Sequence, residues 1–291
     1  MQFTFLNRKS LPEIPSASGI EVVGDSMYVM SDDSPWLFKL NKKLEIIEKL
    51  QVADILSAVG GKIPKGQKQD LEAMASFEGD LLLFGSGSKS PQRDVLIMIK
   101  TETHETKKHS LTQFYDSLCQ SADFKRDDLN IEAAAIVEHT LYLFNRGKNR
   151  IFRFNVQQFF AHVENDAPLP LAEICRVTLP ALNGLEAGFS GATTAPNSKY
   201  IVFTASVENT PNWIDDGEIL GSFVGLFPLG EFKESFVPDC IAVTDSERHV
   251  LKIKVESVAV QEISSPGIIH LLMVTDTDGD SSELIEAELK Y

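Results

Sequence analysis

Cysteine is scarce in this sequence. The three residues, Cys119, Cys175 and Cys240, lie far apart and form no C-x-x-C pair, which fits neither a disulfide framework nor a zinc ribbon. Long apolar runs are also absent, since none reaches the roughly 18–20 residues that cross a bilayer. The N-terminus lacks the apolar segment of a secretory signal. We therefore expect a cytoplasmic protein without membrane contact, unless a leader has been removed from the chain.

Basic residues are few relative to acidic ones. Lysine and arginine number 27 against 42 aspartates and glutamates, so the 291-residue chain carries a formal net charge of -15. Binding to nucleic acid or to an anionic membrane would need a basic face that this balance does not favour. The acidity either serves solubility or includes carboxylates that converge on a cation. Hydrophobic residues, at 43%, suffice for a core, and we expect one domain over residues 1–291.

The common catalytic signatures are missing as well. The chain has no H-E-x-x-H and no G-x-S-x-G, and the glycine-serine run at residues 85–88 does not have the Gly-Lys-Ser/Thr ending of a P-loop. The six histidines are placed irregularly and have no ligand spacing. No nucleophile or zinc site is therefore favoured, and the sequence leaves open whether the protein is an enzyme.

Short alternating apolar runs dominate what is present. They are rich in β-branched and aromatic residues and end at Gly, Asp, Asn or Ser, so they predict strands at residues 26–30, 80–84, 140–144, 200–204 and 270–274. Helical patterns are confined to residues 54–59, 112–120 and 156–164, between the strand groups. The sequence therefore predicts an all-β fold with a few helical insertions.

An internal repeat organises these strands. Four segments share an acid-containing triplet, a turn, an apolar strand and a polar loop, with the acid at Glu21, Glu72, Glu132 and Glu256. A divergent copy has Thr193 in place of the glutamate. In chain order the five positions are 51, 60, 61 and 63 residues apart, and 56 more residues complete a circle. Five units of about 58 residues therefore account for the whole chain.

Units of this length predict a five-bladed β-propeller, since a blade of four antiparallel strands needs roughly 40–50 residues. Too few residues follow Glu256 for four strands, so residues 3–6 are expected to supply the outer strand of the last blade and to close the ring. Two alternatives stay open. A sixth blade can be hidden in residues 223–243, or the repeat can be a chance likeness within a β-sandwich.

The repeated residue lies at the start of each predicted inner strand, which places a ring of side chains around one end of the central channel. At about 6–7 Å and an effective dielectric constant of about 20, each near pair of ionised carboxylates repels by about 2–3 kcal/mol. The ring must therefore bind a cation, pair with Arg or Lys, or stay partly protonated. Oxygen ligands favour Ca²⁺, then Mg²⁺ or Mn²⁺. The predicted metal ligands are Glu21, Glu72, Glu132, Glu256 and Thr193.

The alternative role for this ring is structural, with the glutamates hydrogen-bonded to neighbouring blades. Loops on the same face add polar side chains. Arg93 and Arg146 are the predicted ligands of an anionic substrate that shares its phosphate or carboxylate with the metal. Asp32, Glu208 and Asp276 are the predicted catalytic bases. Each arginine can instead form an ion pair with a nearby carboxylate.

The motifs at residues 19–21, 70–72, 130–132, 203–208, 216–222 and 254–256 together resemble an uncharacterised bacterial family of phytase/esterase-like β-propellers. The resemblance spans nearly the whole chain and implies the propeller fold, but it implies little about chemistry because that family has no settled activity. The four ring glutamates are also similar to the axial calcium site of calcium-activated nucleotidases (apyrases), which are five-bladed propellers. That looser likeness implies calcium at the axis.

Together these observations support a leading hypothesis: a metal-dependent hydrolase, with Ca²⁺ preferred, that acts on a small anionic substrate such as a phosphate ester. The cation would polarise the scissile group, and a bound water would attack with a carboxylate as base. The rival hypothesis is a non-catalytic binding or scaffold propeller with a structural metal or carboxylate ring, which recognises a protein or a sugar. We expect a monomer in either case.

Overall fold

Most strands of the protein form five sheets of four antiparallel strands each, arranged as the blades of a β-propeller. The computed structural model describes residues 1–53, 62–64, 66–194, 199–210, 217–276 and 281–291. The predicted five-bladed propeller is confirmed and the β-sandwich is excluded. Residues 223–243 contribute strands to blades 3 and 4, so the alternative with a sixth blade is wrong.

The first strand of the chain, β1 (Gln2–Pro15), belongs to the last blade. Blade 1 consists, from the channel outward, of β2 (Ala17–Val23), β3 (Ser26–Ser31), β4 (Trp36–Leu40) and β5 (Ile46–Gln51). Blade 2 consists of β6 (Leu71–Phe77), β7 (Asp80–Gly85), β8 (Val95–Ile99) and β9 (Thr106–Ser110). Helix α1 (Thr112–Ala122) and a short 3-10 helix (Arg126–Asp128) lead to the next blade.

Blade 3 contains β10 (Ile131–Val137), β11 (Thr140–Asn145), β12 (Arg150–Asn155) and, after helix α2 (Val156–Asn165), β13 (Glu173–Val177). A small hairpin of β14 (Ala181–Leu182) and β15 (Leu185–Glu186) precedes blade 4. Blade 4 contains β16 (Gly188–Thr194), β17 (Tyr200–Asn209), β18 (Glu218–Pro228) and, after a 3-10 helix (Leu229–Glu231) and β19 (Ser235–Phe236), β20 (Asp239–Ala242). Strand β19 pairs in parallel with β13 of blade 3.

Blade 5 joins the two ends of the chain. It contains β21 (Lys254–Ser265), β22 (Ile268–Asp276), β23 (Ser281–Lys290) and, as its outer strand, β1. Strand β1 runs antiparallel to β23, with Phe3 opposite Leu289. Phe3, Leu11 and Ile14 of β1 are buried, so this closure removes apolar surface from water. The predicted closure by the N-terminal strand is confirmed.

Tight turns connect the first two strands of the blades. Two-residue turns join β2 to β3, β6 to β7 and β10 to β11. The second of these turns has positive φ at both Glu78 and Gly79, as the mirror-image turns of twisted hairpins require. Short turns of this kind return the chain at once, so the start of each inner strand and the end of the second strand lie at the same end of the channel.

The core is divided among the five interfaces between neighbouring blades. Each buried apolar cluster joins two adjacent blades, and the cluster between blades 5 and 1 completes the circle. The inner strands β2, β6, β10, β16 and β21 contact one another in ring order. Apolar side chains on both faces of each sheet are therefore covered, which explains strands with almost continuous burial.

The helices pack beside the cluster between blades 2 and 3. Helix α1 buries Phe114, Tyr115 and Leu118 there, and helix α2 buries Val156 and Phe159. The helical patterns at residues 112–120 and 156–164 are thus confirmed, while residues 54–59 lie outside the described residues. Among the described helices, none is long and apolar enough to cross a membrane.

Candidate functional site

The polar side chains of interest surround one end of the central channel, called the mouth below. Here each inner strand begins and each second strand ends, so Leu71 pairs with Gly85 and Ile131 pairs with Asn145. In blade 5, Val255 pairs in the same way with Thr275. These pairs establish which residues are equivalent among the blades.

Every inner strand carries a β-bulge near its start, directly after its first pair in blades 1 to 3 and directly after its second pair in blades 4 and 5. A bulge inserts one unpaired residue and redirects its side chain. The bulged residues occupy one equivalent position in the five blades, and they are Ser18, Glu72, Glu132, Ser190 and Glu256. The ring at the mouth therefore contains three glutamates and two serines.

The predicted ring is corrected at two of its five positions. Glu21 and Thr193 lie three residues beyond the bulged Ser18 and Ser190 of their strands, so they are equivalent to each other but not to Glu72. The repeat predicted from the sequence aligns the blades by their glutamates, whereas the bulge shows that Ser18 and Ser190 are the residues equivalent to Glu72. A small residue follows each ring position, in the pairs Ser18-Gly19, Glu72-Ala73, Glu132-Ala133, Ser190-Gly191 and Glu256-Ser257. Alignment on that small residue would have found the ring.

Glu21 lies deeper along its strand and has its own environment. The residue is 9% exposed, and its carboxylate accepts the backbone N–H of Val22 at 3.2 Å. Burial raises the pKa of Glu21 to about 8, although hydrogen bonds from Val22 and Ser76 lower it. This carboxyl is therefore protonated at neutral pH, a state that disfavours binding of a metal.

Three carboxylates from blades 1 and 2 converge at the mouth and form the carboxylate cluster, Asp32, Asp70 and Glu72. One oxygen from each lies within 4.8 Å of the other two. Asp32 follows the second strand of blade 1, Asp70 directly precedes β6, and Glu72 is the bulged residue of β6. Three hard oxygens at this spacing are the ligands that Ca²⁺, Mg²⁺ and Mn²⁺ prefer.

Two cations contact this cluster. The Lys68 ammonium lies 3.0 Å from Asp32 Oδ2 and forms a second ion pair with Asp33. The Arg93 guanidinium pairs with Asp70 and donates to Ser88 Oγ at 2.8 Å. Within the described part of the chain, the Glu72 carboxylate has neither a hydrogen-bond nor an ion-pair partner. The cluster therefore has one carboxylate whose charge no protein cation neutralises directly.

The pKa shifts show the electrostatic cost of this arrangement. Burial raises the pKa of Glu72 well above its ordinary value, and four neighbouring carboxylates raise it further, Asp70, Glu132, Asp32 and Glu256. Burial also raises the pKa of Asp32 to about 6, against the lowering effect of Lys68. Both shifts disfavour the ionised carboxylates, so a metal must displace protons when it binds here, and its own charge then stabilises the ionised forms.

The opposite side of the mouth holds a closed ion-pair network of Arg146, Glu208, Lys254 and Glu256. Arg146 Nη2 lies 2.7 Å from Glu208 Oε1, which also lies 3.3 Å from Lys254 Nζ. Lys254 Nζ lies 2.7 Å from Glu256 Oε1, so the network links blades 3, 4 and 5. A looser pair of 3.9 Å joins Arg146 to Glu132.

Arg146 reaches its partner by crossing the backbone of the next blade. A Cβ added to Gly188, the first residue of β16, would lie 2.6 Å from Arg146 Cγ. Only glycine therefore leaves room for this side chain, which is 5% exposed. Burial lowers the pKa of Arg146, but Glu132, Glu208 and other carboxylates raise it above its ordinary value. The guanidinium is thus a permanent charge fixed between blades.

Burial raises the pKa of two further carboxyls on this side, Glu256 and Glu132. Burial raises the pKa of Glu256 to about 8, against the lowering effect of Lys254, while Glu132 and Asp276 raise it. Burial also raises the pKa of Glu132, against Arg146 and Lys254. Asp276 follows Thr275 at the mouth end of β22 and lies opposite Lys254 across the sheet.

Pairing, and not net charge, distinguishes the two sides of the mouth. On the side of blades 1 and 2, four carboxylates (Asp32, Asp33, Asp70 and Glu72) lie near three cations (Lys62, Lys68 and Arg93). On the opposite side, the ion-pair network together with Glu132 and Asp276 has four carboxylates and two cations. The side of blades 1 and 2 is set apart by Glu72, which has no hydrogen-bond or ion-pair partner among the described residues.

The structure brings several predicted residues together and separates others. Asp32 and Glu72 lie in the carboxylate cluster, and Arg93 contacts it. Arg146 and Glu208 pair with each other on the opposite side, which agrees with the ion-pair alternative for this arginine. Ion pairing also holds for Arg93, and the roles of all these residues in binding or catalysis stay predictions.

Three residues of the cluster region have no role in the sequence-based predictions, namely Asp70, Lys68 and Asp33. Asp70 was visible inside the triplet that contains Glu72, at the position before the inner strand. Lys68 and Asp33 lie two residues or fewer from Asp70 and Asp32. A rule that inspects the charged neighbours of each ring residue would have found all three.

Comparison with solved structures supports the fold. The crystal structure of Myxococcus xanthus glutaminyl cyclase is similar over 99% of this chain and 97% of that chain, with a TM-score of 0.54 and 10% identity. The N-terminal domain of Nup159 aligns over 99% and 95% of the two chains, with a TM-score of 0.42 and 12% identity. The tail fiber of Staphylococcus aureus phage P68 aligns over 100% and 53%, with a TM-score of 0.47 and 10% identity. At 10% identity the likeness to the glutaminyl cyclase shows the fold alone, and the two alignments with TM-scores below 0.5 add nothing to it.

Comparison of sequences is more limited. No curated protein matches this chain. The resemblance to phytase/esterase-like propellers and to apyrases is therefore not confirmed. One family of unknown function matches residues 13–289, nearly the whole propeller. The chain is a member of this family, DUF6929.

Proposed function

We propose that the mouth binds a divalent cation between blades 1 and 2, with Ca²⁺ preferred over Mg²⁺ and Mn²⁺, and that the loaded site hydrolyses a small anionic substrate such as a phosphate ester. The convergence of Asp32, Asp70 and Glu72 carries this proposal, because their oxygens lie within 4.8 Å of one another. The ordinary alternative for an acidic cluster is full pairing with protein cations. Here Glu72 has no such partner among the described residues.

The cluster residues fit such an ion by their chemistry. All three offer carboxylate oxygens, and Glu132 and Glu256 are close enough to raise the pKa of Glu72. A bound divalent cation would polarise the scissile group and lower the pKa of a coordinated water. We therefore propose Asp32, Asp70 and Glu72 as the ligands of the metal instead of the complete ring.

The predicted catalytic bases are not equally suited to their role. Glu208 lies between Arg146 and Lys254 and is engaged by both in ion pairs. Asp32 is a proposed metal ligand, and a bound cation would hold its carboxylate in the ionised form, so it is a poor proton acceptor. Asp276 lies at the mouth beside Glu256 and outside the proposed ligand set. We propose Asp276 as the residue that accepts a proton during the reaction.

The experiment compares metal binding and turnover in matched variants. Protein freed of metal with EDTA is titrated with Ca²⁺ in a calorimeter, and hydrolysis is measured on phosphate esters, nucleotides and lactones with Ca²⁺, Mg²⁺ or Mn²⁺. We expect Glu72→Gln to weaken Ca²⁺ binding at least tenfold and to lower turnover, because the amide cannot supply the same charge. Glu164→Gln, on the exposed surface of α2, serves as the control. Absence of Ca²⁺ binding by the wild-type protein would contradict the proposal.

A scaffold role is the second candidate, and the ion-pair network favours it. This network links three blades through two cations that are already paired with carboxylates. Such a contact can align blades without any chemistry. Wild-type protein that binds Ca²⁺ tightly, but hydrolyses no compound of the panel, would support this candidate over the hydrolase.

A further inference from the structure

We infer that Arg93 and Lys68 form, with Ser88, a subsite for the phosphate of a phosphomonoester, and that binding of the divalent cation makes this subsite available. The inference rests on the proposed function and extends it to the order of binding, with the metal first and the anion second. It also separates the two predicted arginines, since Arg93 takes the substrate and Arg146 does not.

The Arg93 guanidinium has a hydrogen-bond donor without an acceptor among the described residues. Its Nη1 pairs with Asp70 and lies 2.8 Å from Ser88 Oγ, which in turn lies 2.9 Å from Ser86 Oγ. Its Nε is buried and has no acceptor in the described part of the chain. A planar guanidinium binds phosphate best through two parallel N–H groups. The unused Nε–H is one such donor, and the hydroxyl of Ser88 can add a further contact to the phosphate.

Lys68 completes the group of cations on this side. Its ammonium contacts Asp32 and Asp33, and its side chain is 16% exposed. Burial lowers the pKa of Lys68, but the two aspartates raise it above its ordinary value. The ammonium therefore stays charged over the working pH range and can contribute to binding of a dianion.

The charge balance explains why the metal comes first. The four carboxylates on this side (Asp32, Asp33, Asp70 and Glu72) outnumber its three cations (Lys62, Lys68 and Arg93) when no metal is bound, so a phosphomonoester dianion is repelled. One divalent cation reverses the sign of this formal charge. Asp32 and Asp70 hold Lys68 and Arg93, and the same two carboxylates are proposed metal ligands. Sharing their charge with the metal weakens their hold on both cations.

Arg146 does not share its carboxylate partner with the proposed metal. Its main partner is Glu208, which also contacts Lys254, and neither belongs to the carboxylate cluster. The guanidinium is 5% exposed and crosses Gly188, so it cannot turn toward a ligand without disturbing two blades. A metal in the cluster leaves this ion pair intact, which is why we assign the anion to Arg93.

The experiment measures binding of phenyl phosphate by calorimetry, with and without saturating Ca²⁺. In wild-type protein we expect binding with Ca²⁺ and at least tenfold weaker binding without it. Arg93→Gln should lose at least tenfold in phenyl phosphate affinity, while it binds Ca²⁺ as tightly as the wild type or more tightly. Lys68→Gln, in a loop position, should show the same pattern and provides a second test if the Arg93 variant does not fold. Arg153→Gln, which breaks an ion pair with Glu173 on blade 3, is the matched control.

The outcomes separate the inference from the proposed function. Phenyl phosphate affinity that is equal with and without Ca²⁺, or that is unchanged in both Arg93→Gln and Lys68→Gln, would overturn the inference while Ca²⁺ binding stands. Failure of the wild-type protein to bind Ca²⁺ would overturn the proposed function itself. Weaker Ca²⁺ binding in the two variants would also refute the inference, because removal of a competing cation must not reduce metal affinity.

Discussion

Glu21 shows how a single buried carboxyl can affect the stability of the whole chain. Its pKa is raised to about 8 by burial, and its nearest polar contacts are the N–H of Val22 and the hydroxyl of Ser76. The side chain does not belong to the ring at the mouth. Its charge state is therefore a question of stability and not of ligand binding.

The pH dependence of stability tests this interpretation. The folded-state pKa of Glu21 is about 8 and the ordinary value is 4.5, so the folded protein retains a proton that the unfolded chain releases. This contribution to stability is complete below pH 4.5 and is lost as the pH rises to about 8. The free energy of unfolding should fall by up to about 1.4 kcal/mol per pH unit in this window. Urea unfolding of Glu21→Gln, which keeps an acceptor oxygen, should show a smaller decrease with pH than the wild type.

The comparison of the two proteins isolates this residue. Glu256 also has a pKa of about 8, but it is present in both and cancels in the difference. Equal stability differences between wild type and Glu21→Gln at pH 5, 6.5 and 8 would show that the Glu21 carboxyl does not titrate in this window.

At the level of the strands, the mouth depends on where each inner strand begins. The bulge in each inner strand sets which side chain is redirected at the mouth, and a shift of one residue would turn another side chain there. The first residue of β16 is Gly188, which lets Arg146 of blade 3 pass to blade 4. The residue at the start of β16 therefore determines whether Arg146 has room to form its ion pair with Glu208.

Substitution of Gly188 by alanine tests this coupling. The new Cβ would lie 2.6 Å from Arg146 Cγ, so the arginine or the strand must shift. We expect a loss of about 1–3 kcal/mol in the free energy of unfolding, as for other overpacked sites. Gly230→Ala, where no atom lies within 4 Å of the added Cβ, is the control. Equal urea midpoints for the two variants would indicate that Arg146 does not need this passage.

For the whole molecule, the five blades create a site that no single blade contains. The carboxylate cluster combines Asp32 of blade 1 with Asp70 and Glu72 at the start of blade 2. Occupation of such a site should stabilise the closed ring, because the unfolded chain does not hold these oxygens together. Metal binding at the mouth should therefore raise the free energy of unfolding of the whole propeller.

Thermal unfolding in the presence of Ca²⁺ measures this link. At a Ca²⁺ concentration of about 100 times the Kd, the free energy of unfolding should rise by about 2.7 kcal/mol, and EDTA should reverse the change. The increase should be larger at pH 8 than at pH 5, because Asp32, with a pKa of about 6, must ionise to bind the metal. An equal increase in Glu72→Gln would place the stabilising ion elsewhere.

The amino-acid sequence by itself determined the propeller. Strand positions follow from the alternation of apolar and polar residues, and the five repeats of about 58 residues specify the number of blades because each blade buries its faces against the next. The need for an outer strand in the last blade also followed from the length that remained after Glu256. These features depend on local patterns, which one sequence displays completely.

Only the tertiary structure decided the composition of the mouth. The ring position depends on a one-residue bulge that the repeat spacing does not reveal, so Ser18 and Ser190 belong to the ring in place of Glu21 and Thr193. The pairing of Arg146 with Glu208 joins residues 62 positions apart. Such contacts are set by the packing of blades against each other, and this geometry determines which charges are neutralised and which are left to bind a ligand.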